Sequence, residues 1–340
     1  MLRNLLQGAG FITVMSLALA GCQPAERIEV LSGPTMGSTY TIKYVANSTT
    51  PAADAAGVAV QEILDEVDRQ MSTWRTDSDL SRFNRLPAGS CRQMPAAVIG
   101  LVSYAQQLSA STDGQFDITA GPLLKLWGFD ANSRQQQVPT DEQLGQALAQ
   151  TGYQHLHISG EQLCKDKDLQ LDLSSVAAGY AVDRIAARFA ETGLSSYMIE
   201  VTGELYAVGK KPDGSPWRIG IELPAEGPLT ASRIVEIDGL AVNTSGDYRN
   251  YFEQDGVRFS HVINARSGKP VTHRVAAVTV IDSSTLVADA LGTVLLLLGL
   301  EDGMQYSVEH DVAAMFVERN GDNFVVHYSP RFISDFPEGE

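Results

Sequence analysis

The chain has 340 residues, 44% of which are hydrophobic, and its formal net charge is −16 at pH 7. This length is sufficient for one large domain or for two packed subdomains. The net negative charge argues against general nucleic-acid binding. A polyanionic ligand would need a local binding feature, such as a metal ion or a helix N-terminus.

Residues 1–21 have the features of a lipoprotein signal peptide. Arg3 precedes an apolar stretch, and Leu19-Ala20-Gly21 leads directly into Cys22. We therefore expect cleavage before Cys22, acylation of this cysteine and a short tether over residues 22–26. The lipid chains would hold the protein on the periplasmic side of the inner or outer membrane of a Gram-negative bacterium. An ordinary signal peptide followed by a chance cysteine is the alternative.

Apolar periodicity in the rest of the chain predicts strands and helices that follow one another without a regular order. Strands are expected over residues 27–31, 39–45, 156–158, 169–171, 197–201, 205–209, 217–221, 234–237, 258–263, 275–281, 313–318 and 324–328. Helices are expected over residues 60–71, 96–112, 140–150, 174–192, 286–299 and 302–310. Residues 71–84 are expected to form a polar loop, and residues 241–252 a polar turn. This mixture favours an α+β fold over a doubly wound sheet.

Cys91 and Cys164 are the two cysteines that follow Cys22. Outside the cytoplasm they could form a disulfide, but two free buried thiols are equally compatible with the sequence. Their spacing matches neither a redox motif nor a zinc site.

The expected helix over residues 286–299 is apolar on all sides and carries two polar groups, Asp289 and Thr293, on one face. A buried carboxylate is costly unless a backbone cap, a basic side chain or a metal ion compensates it. Carboxylate and hydroxyl oxygens suit a hard cation such as Mg²⁺. The alternative is an aspartate that is favoured only by the dipole at a helix N-terminus.

Two further polar clusters accompany this helix. One is the strand-to-helix corner that contains Ser175, where the free amides of a helix start could seat an anion. The other combines the turn from Ser245 to Arg249 with His261. Together the three clusters predict a phosphate-bearing ligand that is held by one hard metal ion and a helix N-terminus.

Six sequence blocks, in chain order, resemble the ApbE family of FAD:protein FMN transferases. They are Thr-Met-Gly-Ser-Thr at 35–39, the segment 71–84, Phe-Asp-Ile-Thr-Ala-Gly-Pro-Leu at 116–123, the segment 172–183, the segment 260–270, and Ala-Asp-Ala with a following threonine at 288–293. The resemblance implies an ApbE-like, T-fold-related α+β domain over residues 27–335, with mixed sheets, packed helices and two intimately packed subdomains.

The resemblance also implies an activity. FMN would pass from the substrate FAD to a threonine hydroxyl of a target flavoprotein, of the kind found in respiratory redox complexes. Mg²⁺ would be required, a phosphoester-linked FMN would form, and AMP would leave. Two alternatives are an FAD-binding lipoprotein without transfer activity and an Mg²⁺-dependent FAD pyrophosphatase that yields FMN and AMP.

Site residues follow from the same resemblance. The metal ligands would be Asp289, Thr293 and carbonyl oxygens at Ser175 and Gly292. His261 is the candidate base, because its ordinary pKa suits neutral pH. The residues expected to contact FAD are Met36, Trp74, Gln115, Phe116, Asp117, Asp172, Ala178, Ser245, Arg249 and Ile263. Gly292 and Ala178 stand where the family often has charged residues, which is the feature that keeps the two alternatives open.

Overall fold

The computed structural model describes residues 26–130, 136–224, 231–248, 250–321 and 323–337. The strands are β1 (Arg27–Thr35), β2 (Ser38–Ala46), β3 (Ser90–Gln93), β4 (Leu156–Ser159), β5 (Gln162–Lys165), β6 (Tyr197–Val201), β7 (Glu204–Val208), β8 (Trp217–Glu222), β9 (Ala231–Ile237), β10 (Leu240–Gly246), β11 (Tyr251–Gln254), β12 (Val257–Ser260), β13 (Ile263–Asn264), β14 (Lys269–Pro270), β15 (Val275–Asp282), β16 (Ala313–Asn320) and β17 (Asn323–Tyr328). The helices are α1 (Ala53–Met71), α2 (Asp79–Asn84), α3 (Ala96–Ser111), α4 (Gly121–Trp127), α5 (Asp141–Leu148), α6 (Ser174–Glu191), α7 (Thr285–Glu309) and α8 (Pro330–Asp335).

An eight-stranded antiparallel sheet organises the molecule, in the order β1-β2-β6-β7-β10-β15-β16-β17. Helices α1, α6 and α7 pack on one face of the sheet, where they enclose the main hydrophobic core. The β8–β9 ribbon and α8 cover the other face. Strand β15 is buried along almost its whole length, as a strand covered on both faces should be. This arrangement confirms the predicted α+β class.

Helix α7 matches the two helices predicted over residues 286–299 and 302–310. Its backbone leaves the helical conformation at Gly299, where φ is 79°. A Cβ atom at this position would lie 2.8 Å from Cδ2 of His273, and Nε2 of His273 donates to the carbonyl oxygen of Leu296 at 2.8 Å. The imidazole therefore fills the break and caps the first half of the helix. Among the described residues, no helix combines the length and the apolar character that crossing a bilayer demands.

Two predictions of local structure are wrong. Residues 241–252 do not form a turn, because residues 240–246 are the central strand β10. Its polar residues are accommodated within the fold; for example, Thr244 hydrogen-bonds across the sheet to Thr279 at 2.8 Å. Residues 169–171 do not form a strand, because the side-chain amide of Asn84 pairs with both the amide and the carbonyl of Leu171 at 2.8 Å. A side chain takes the place of a partner strand there.

Several short elements escaped the sequence analysis, among them α2, β3 and β5. Helix α2 lies within the expected polar loop and begins at Ser78, whose hydroxyl accepts from the Ser81 amide at 2.9 Å. Strands β3 and β5 join β4 in a small three-stranded sheet. Within it, Cys91 pairs with Cys164 in register and the two form a disulfide. The structure thus decides between the bridge and the free thiols.

We expect the double variant Cys91→Ser/Cys164→Ser to lose about 4 kcal/mol of unfolding free energy, since the bridge closes a long loop in the unfolded chain. Urea unfolding of the oxidised protein and the variant measures this difference. Wild-type protein unfolded in reductant is the control and should match the variant. FAD binding should survive, because no residue of β3 or β5 lines the cavities described below. Equal unfolding free energies would contradict the prediction.

Candidate functional site

Two adjoining cavities open beside the N-terminal end of α6. The larger, of about 870 Å³, lies between the β1–β2 hairpin, α1 and the loop that follows α1. The smaller, of about 440 Å³, lies between α6, α7, β10 and the segment around His261. Asp172, Ser174 and Thr202 line both, so the cavities form one elongated cleft. Such a cleft suits a long ligand with two distinct ends.

Most of the predicted site residues line this cleft. Met36, Trp74 and Ala178 line the larger cavity, and Asp172 lines both. The predicted residues in the smaller cavity are Phe116, Asp117, Ser175, Ser245, His261, Ile263, Asp289 and Thr293. Arg249 and Cys22 lie outside the described residues. Gln115 and Gly292 are not among the lining residues of either cavity.

Helices α6 and α7 touch at Gly179 and Asp289. A Cβ atom on Gly179 would lie 2.5 Å from the carbonyl oxygen of Thr285 and 2.9 Å from Cβ of Asp289, so only glycine permits this approach. The Gly179 amide donates to Oδ2 of Asp289 at 3.1 Å. In a regular helix this amide pairs with the carbonyl of Ser175, four residues earlier. The bond therefore joins the Asp289 carboxylate to the turn of α6 that contains Ser175, whose carbonyl is a predicted metal ligand.

Asp289 is buried, and its charge is poorly compensated. Burial raises the pKa of Asp289 well above its ordinary value, and the nearby Glu204 carboxylate raises it further, while the Gly179 amide opposes the shift. No lysine or arginine pairs with Asp289 in the described parts of the chain. A group in this position binds a cation or takes up a proton.

The surrounding atoms fit a hard cation of the Mg²⁺ type. Asp289, Thr293 and Ser175 line the same cavity, and their carboxylate, hydroxyl and carbonyl oxygens are the types of ligand that such a cation takes. The side-chain oxygen of Asn243, next to Gly292, is buried without a hydrogen-bond partner. A cluster of three or more histidine, cysteine or acidic residues, which a zinc-like site would use, does not occur in the described ranges. Hydroxyl and carbonyl oxygens would therefore complete the ligand set.

Gly292 lies against strand β10. A Cβ atom there would be 2.8 Å from Oγ of Ser245 and 3.0 Å from the side-chain oxygen of Asn243. The absence of a side chain at 292 thus makes room for two polar groups of the neighbouring strand. A larger residue at this position would require the side chains of Ser245 and Asn243 to move.

The larger cavity has a strained hairpin on one side and an exposed indole on the other. Met36 and Gly37 connect β1 to β2 with φ values of 47° and 75°, and methionine rarely adopts the former. Trp74 is 72% exposed although it is a large aromatic residue. Its loop is held by Oγ of Ser72, which accepts from the amides of Trp74 and Arg75. An ordered, exposed indole of this kind is suited to stacking on a planar ligand.

Asp117 lines the smaller cavity, but its carboxylate is occupied by the protein. One oxygen accepts from the amide and the hydroxyl of Thr119, and the other accepts from the Tyr153 amide, all at 2.8 Å. Burial raises the pKa of Asp117, and these bonds oppose the shift. Gln115 similarly accepts from the side chain of Asn264 at 2.8 Å. Asp117 therefore shapes the wall of the smaller cavity, whereas Gln115 lies outside the lining.

His261 is held in a defined orientation. Its Nδ1 lies 3.0 Å from the carbonyl oxygen of Asn250, which can only accept, so Nδ1 carries the proton in the neutral ring. Nε2 is then left with a lone pair. Burial lowers the pKa of His261, although the bond to Asn250 and the charge of Asp247 oppose the shift. The neutral ring at pH 7 is therefore a base rather than a cation.

Thr202 and Glu204 are among the cleft residues that the sequence analysis missed. Thr202 forms a tight turn with Gly203 between β6 and β7, with φ values of 57° and 115°, and it stands where the cavities meet. Glu204 follows the turn, accepts from the Thr202 hydroxyl and faces the smaller cavity. A positive φ at threonine is unusual, but no local sequence signal indicates that this hairpin borders the site.

Comparisons with known proteins agree on one family. The ApbE family model matches residues 36–316. The apo structure of the Pseudomonas stutzeri flavinyl transferase ApbE aligns with a TM-score of 0.87 and 51% identity, covering 94% of this chain and 99% of that one. The flavin transferase ApbE of Vibrio cholerae aligns with a TM-score of 0.85 and 39% identity, over 91% and 99% of the two chains. A Vibrio cholerae serotype O1 protein named FAD:protein FMN transferase is 42% identical over 318 residues, which are 93% of this chain and 95% of that protein.

We expect Gly179→Ala to lower the unfolding free energy by about 1–3 kcal/mol, since the added methyl group must push α6 and α7 apart. Gly100→Ala is the matched control, because that glycine lies in the interior of α3 with nothing within 4 Å of its missing Cβ. The control should gain about 0.5–1 kcal/mol. Chemical denaturation measures both values, and an equal response of the two variants would contradict the close contact.

Proposed function

This chain belongs to the ApbE family, and on that premise we propose that it transfers FMN from FAD to a threonine hydroxyl of a target flavoprotein and releases AMP, with Mg²⁺ bound at Asp289. The observation that carries the proposal is the buried Asp289 carboxylate, which lacks a cationic side-chain partner within the described ranges and lines a cleft made of two adjoining cavities. The names of the relatives support the substrate and the product.

The ligands of the cation are proposed to be Asp289, Thr293 and the Ser175 carbonyl. When bound, Mg²⁺ would neutralise charge on the diphosphate and stabilise the departing phosphate. The N-terminus of α6 would add to this through its helix dipole, although Oδ1 of Asp172 already accepts from the Ser174 amide at 2.8 Å. The cation and the helix dipole would offset the net negative charge of the chain, which would otherwise repel an anionic substrate.

The chemical step is a phosphoryl transfer in which His261 takes up a proton. The threonine oxygen forms a bond to the phosphorus of the FMN half, and the bond from that phosphorus to the bridging oxygen breaks. AMP departs with the bridging oxygen, and the hydroxyl proton moves to Nε2 of His261. The bond from Nδ1 to Asn250 supports this role, because it fixes the ring and leaves Nε2 unprotonated.

The proposed setting is the periplasmic side of a membrane. The support is the lipoprotein signal that precedes Cys22, together with a disulfide between Cys91 and Cys164, which is typical of an oxidising compartment. The acceptor is proposed to be a flavoprotein subunit of a respiratory redox complex. The larger cavity, with Met36 and Trp74, is proposed to hold one ring system of FAD.

One assay tests the proposed activity. The purified protein is incubated with FAD, Mg²⁺ and an acceptor domain, and the acceptor is analysed by in-gel fluorescence and mass spectrometry. Covalent flavin on the acceptor, with one AMP released per flavin, supports transfer. An acceptor with its threonine changed to valine is the control and should remain unlabelled. Free FMN and AMP without labelling would indicate a pyrophosphatase, and tight FAD without turnover would indicate a binding protein.

We expect Asp289→Asn to lower transfer by at least about 100-fold, because the cation contributes several kcal/mol to such a transition state. The variant should remain folded, and without metal it should be at least as heat-stable as the wild type, because an unpaired buried charge is removed. The rise in melting temperature that Mg²⁺ gives the wild type should disappear. Asp302→Asn, at an exposed position of α7, is the control. Full Mg²⁺-dependent activity in Asp289→Asn would place the cation elsewhere.

The rate of transfer should stay level from neutral pH to below pH 6.5 and fall only at more acidic pH. A base works in its deprotonated form, and burial lowers the pKa of His261, so its protonation needs a lower pH than that of an ordinary histidine.

His261→Gln should reduce the rate of transfer by about 10²–10⁴-fold and abolish the fall of the rate at acidic pH, with a much smaller effect on the Kd of FAD. His157→Gln, on the remote strand β4, should change neither. Equal losses of rate and FAD affinity would make His261 a binding residue.

A further inference from the structure

Helices α6 and α7 face each other through two stripes of residues at four-residue spacing. The stripe on α6 consists of Ser175, Gly179 and Asp183, and the stripe on α7 consists of Thr285, Asp289 and Thr293. Asp183 contacts the start of α7, and Gly179 contacts Asp289 one turn further along. The helices are therefore antiparallel in this region, and the next turn brings Ser175 and Thr293 to the same level. Both of these residues line the smaller cavity.

Asp183 uses both carboxylate oxygens to hold the N-terminus of α7. Oδ1 accepts from the Thr285 amide at 2.7 Å, and Oδ2 accepts from the Leu286 amide at 3.1 Å. Oδ2 also accepts from the hydroxyl of Ser284 at 2.7 Å. These are free amides at a helix start, where a negative charge is favoured. The bonds connect positions about 100 residues apart in the sequence.

Local capping alone does not explain this arrangement. Helices α2, α5 and α8 each begin with a serine or threonine whose side chain accepts from a first-turn amide. Helix α7 has the same device, since Oγ of Ser284 accepts from the Val287 amide at 3.3 Å. Asp183 therefore gives α7 further acceptors although α7 already has its own cap. Asp183 lies on α6, the helix that also carries Ser175. Its geometric effect is to fix one helix against the other.

We infer that Asp183 is a positioning residue for the cation site, because it sets the register in which Asp289, Thr293 and the Ser175 carbonyl come together. The inference rests on the cation site proposed above. Asp183 itself lines neither cavity of the cleft. A slip of one helical turn would move Thr293 by about 5.4 Å relative to Ser175 and would separate the ligands. The Gly179 contact sets the distance between the helices, and Asp183 sets their alignment.

The test is the affinity of the full-length protein for Mn²⁺, measured from the electron paramagnetic resonance signal of free Mn²⁺ in the absence of FAD. Asp183→Asn removes the charge and replaces one accepting oxygen by a donor. We expect Mn²⁺ binding to weaken by about 10–100-fold, as for other residues that orient metal ligands. Transfer should recover at high Mg²⁺, because the ligands remain. Unchanged Mn²⁺ affinity, with or without a lower melting temperature, would overturn the inference.

Milder variants keep the test decisive if Asp183→Asn does not fold. Ser284→Ala removes one of the three bonds to Asp183 and should weaken Mn²⁺ binding several-fold, whereas Ser284→Thr keeps the hydroxyl and should bind as the wild type does. Thr140→Ala removes the cap of the remote helix α5 and should leave the affinity unchanged. Equal Mn²⁺ affinities of Ser284→Ala and Ser284→Thr would overturn the inferred role of Asp183 but not the proposed cation site. A wild type that binds no Mn²⁺ would overturn the cation site itself.

Discussion

The contact between the Gly179 amide and the Asp289 carboxylate is the constraint on which the site depends. It requires a glycine on α6, because any side chain would strike the carbonyl of Thr285. It also buries a carboxylate between two helices and a sheet, where water cannot solvate the charge. The packing therefore favours a bound cation or a proton at Asp289. In the proposed function a cation takes this place, and it would attract an anionic substrate that the acidic chain would otherwise repel.

The elements that the sequence predicted well are those with a strong local signal. The apolar pattern and Gly299 define both halves of α7, and the Thr140–Gln143 capping box defines the start of α5. The failures have non-local causes. Strand β10 resembles a turn because its polar residues face other polar groups inside the fold, and residues 169–171 are extended because Asn84, 87 positions away from Leu171, pairs with their backbone.

The candidate site likewise contains residues that could be predicted from the sequence and residues that could not. Asp289 and Thr293 could be proposed from spacing alone, and the family resemblance supplied Met36, Trp74 and most of the other predicted residues that line the cleft. The role of Asp183 could not be predicted, because its partners lie on a helix far along the chain. The local sequence also gives no sign that Thr202 stands between the two cavities, since that depends on which hairpin of the sheet ends beside α6.

The junction at Asp172, Ser174 and Thr202 has a consequence for what happens after the bond is broken. A dinucleotide that occupied both cavities would pass this junction between its two halves. After the proposed transfer, the FMN half would leave bonded to the acceptor protein, and AMP would leave from its own compartment as the free product. The order of product release would then be random rather than compulsory, and each compartment could be blocked independently by the half that it retains.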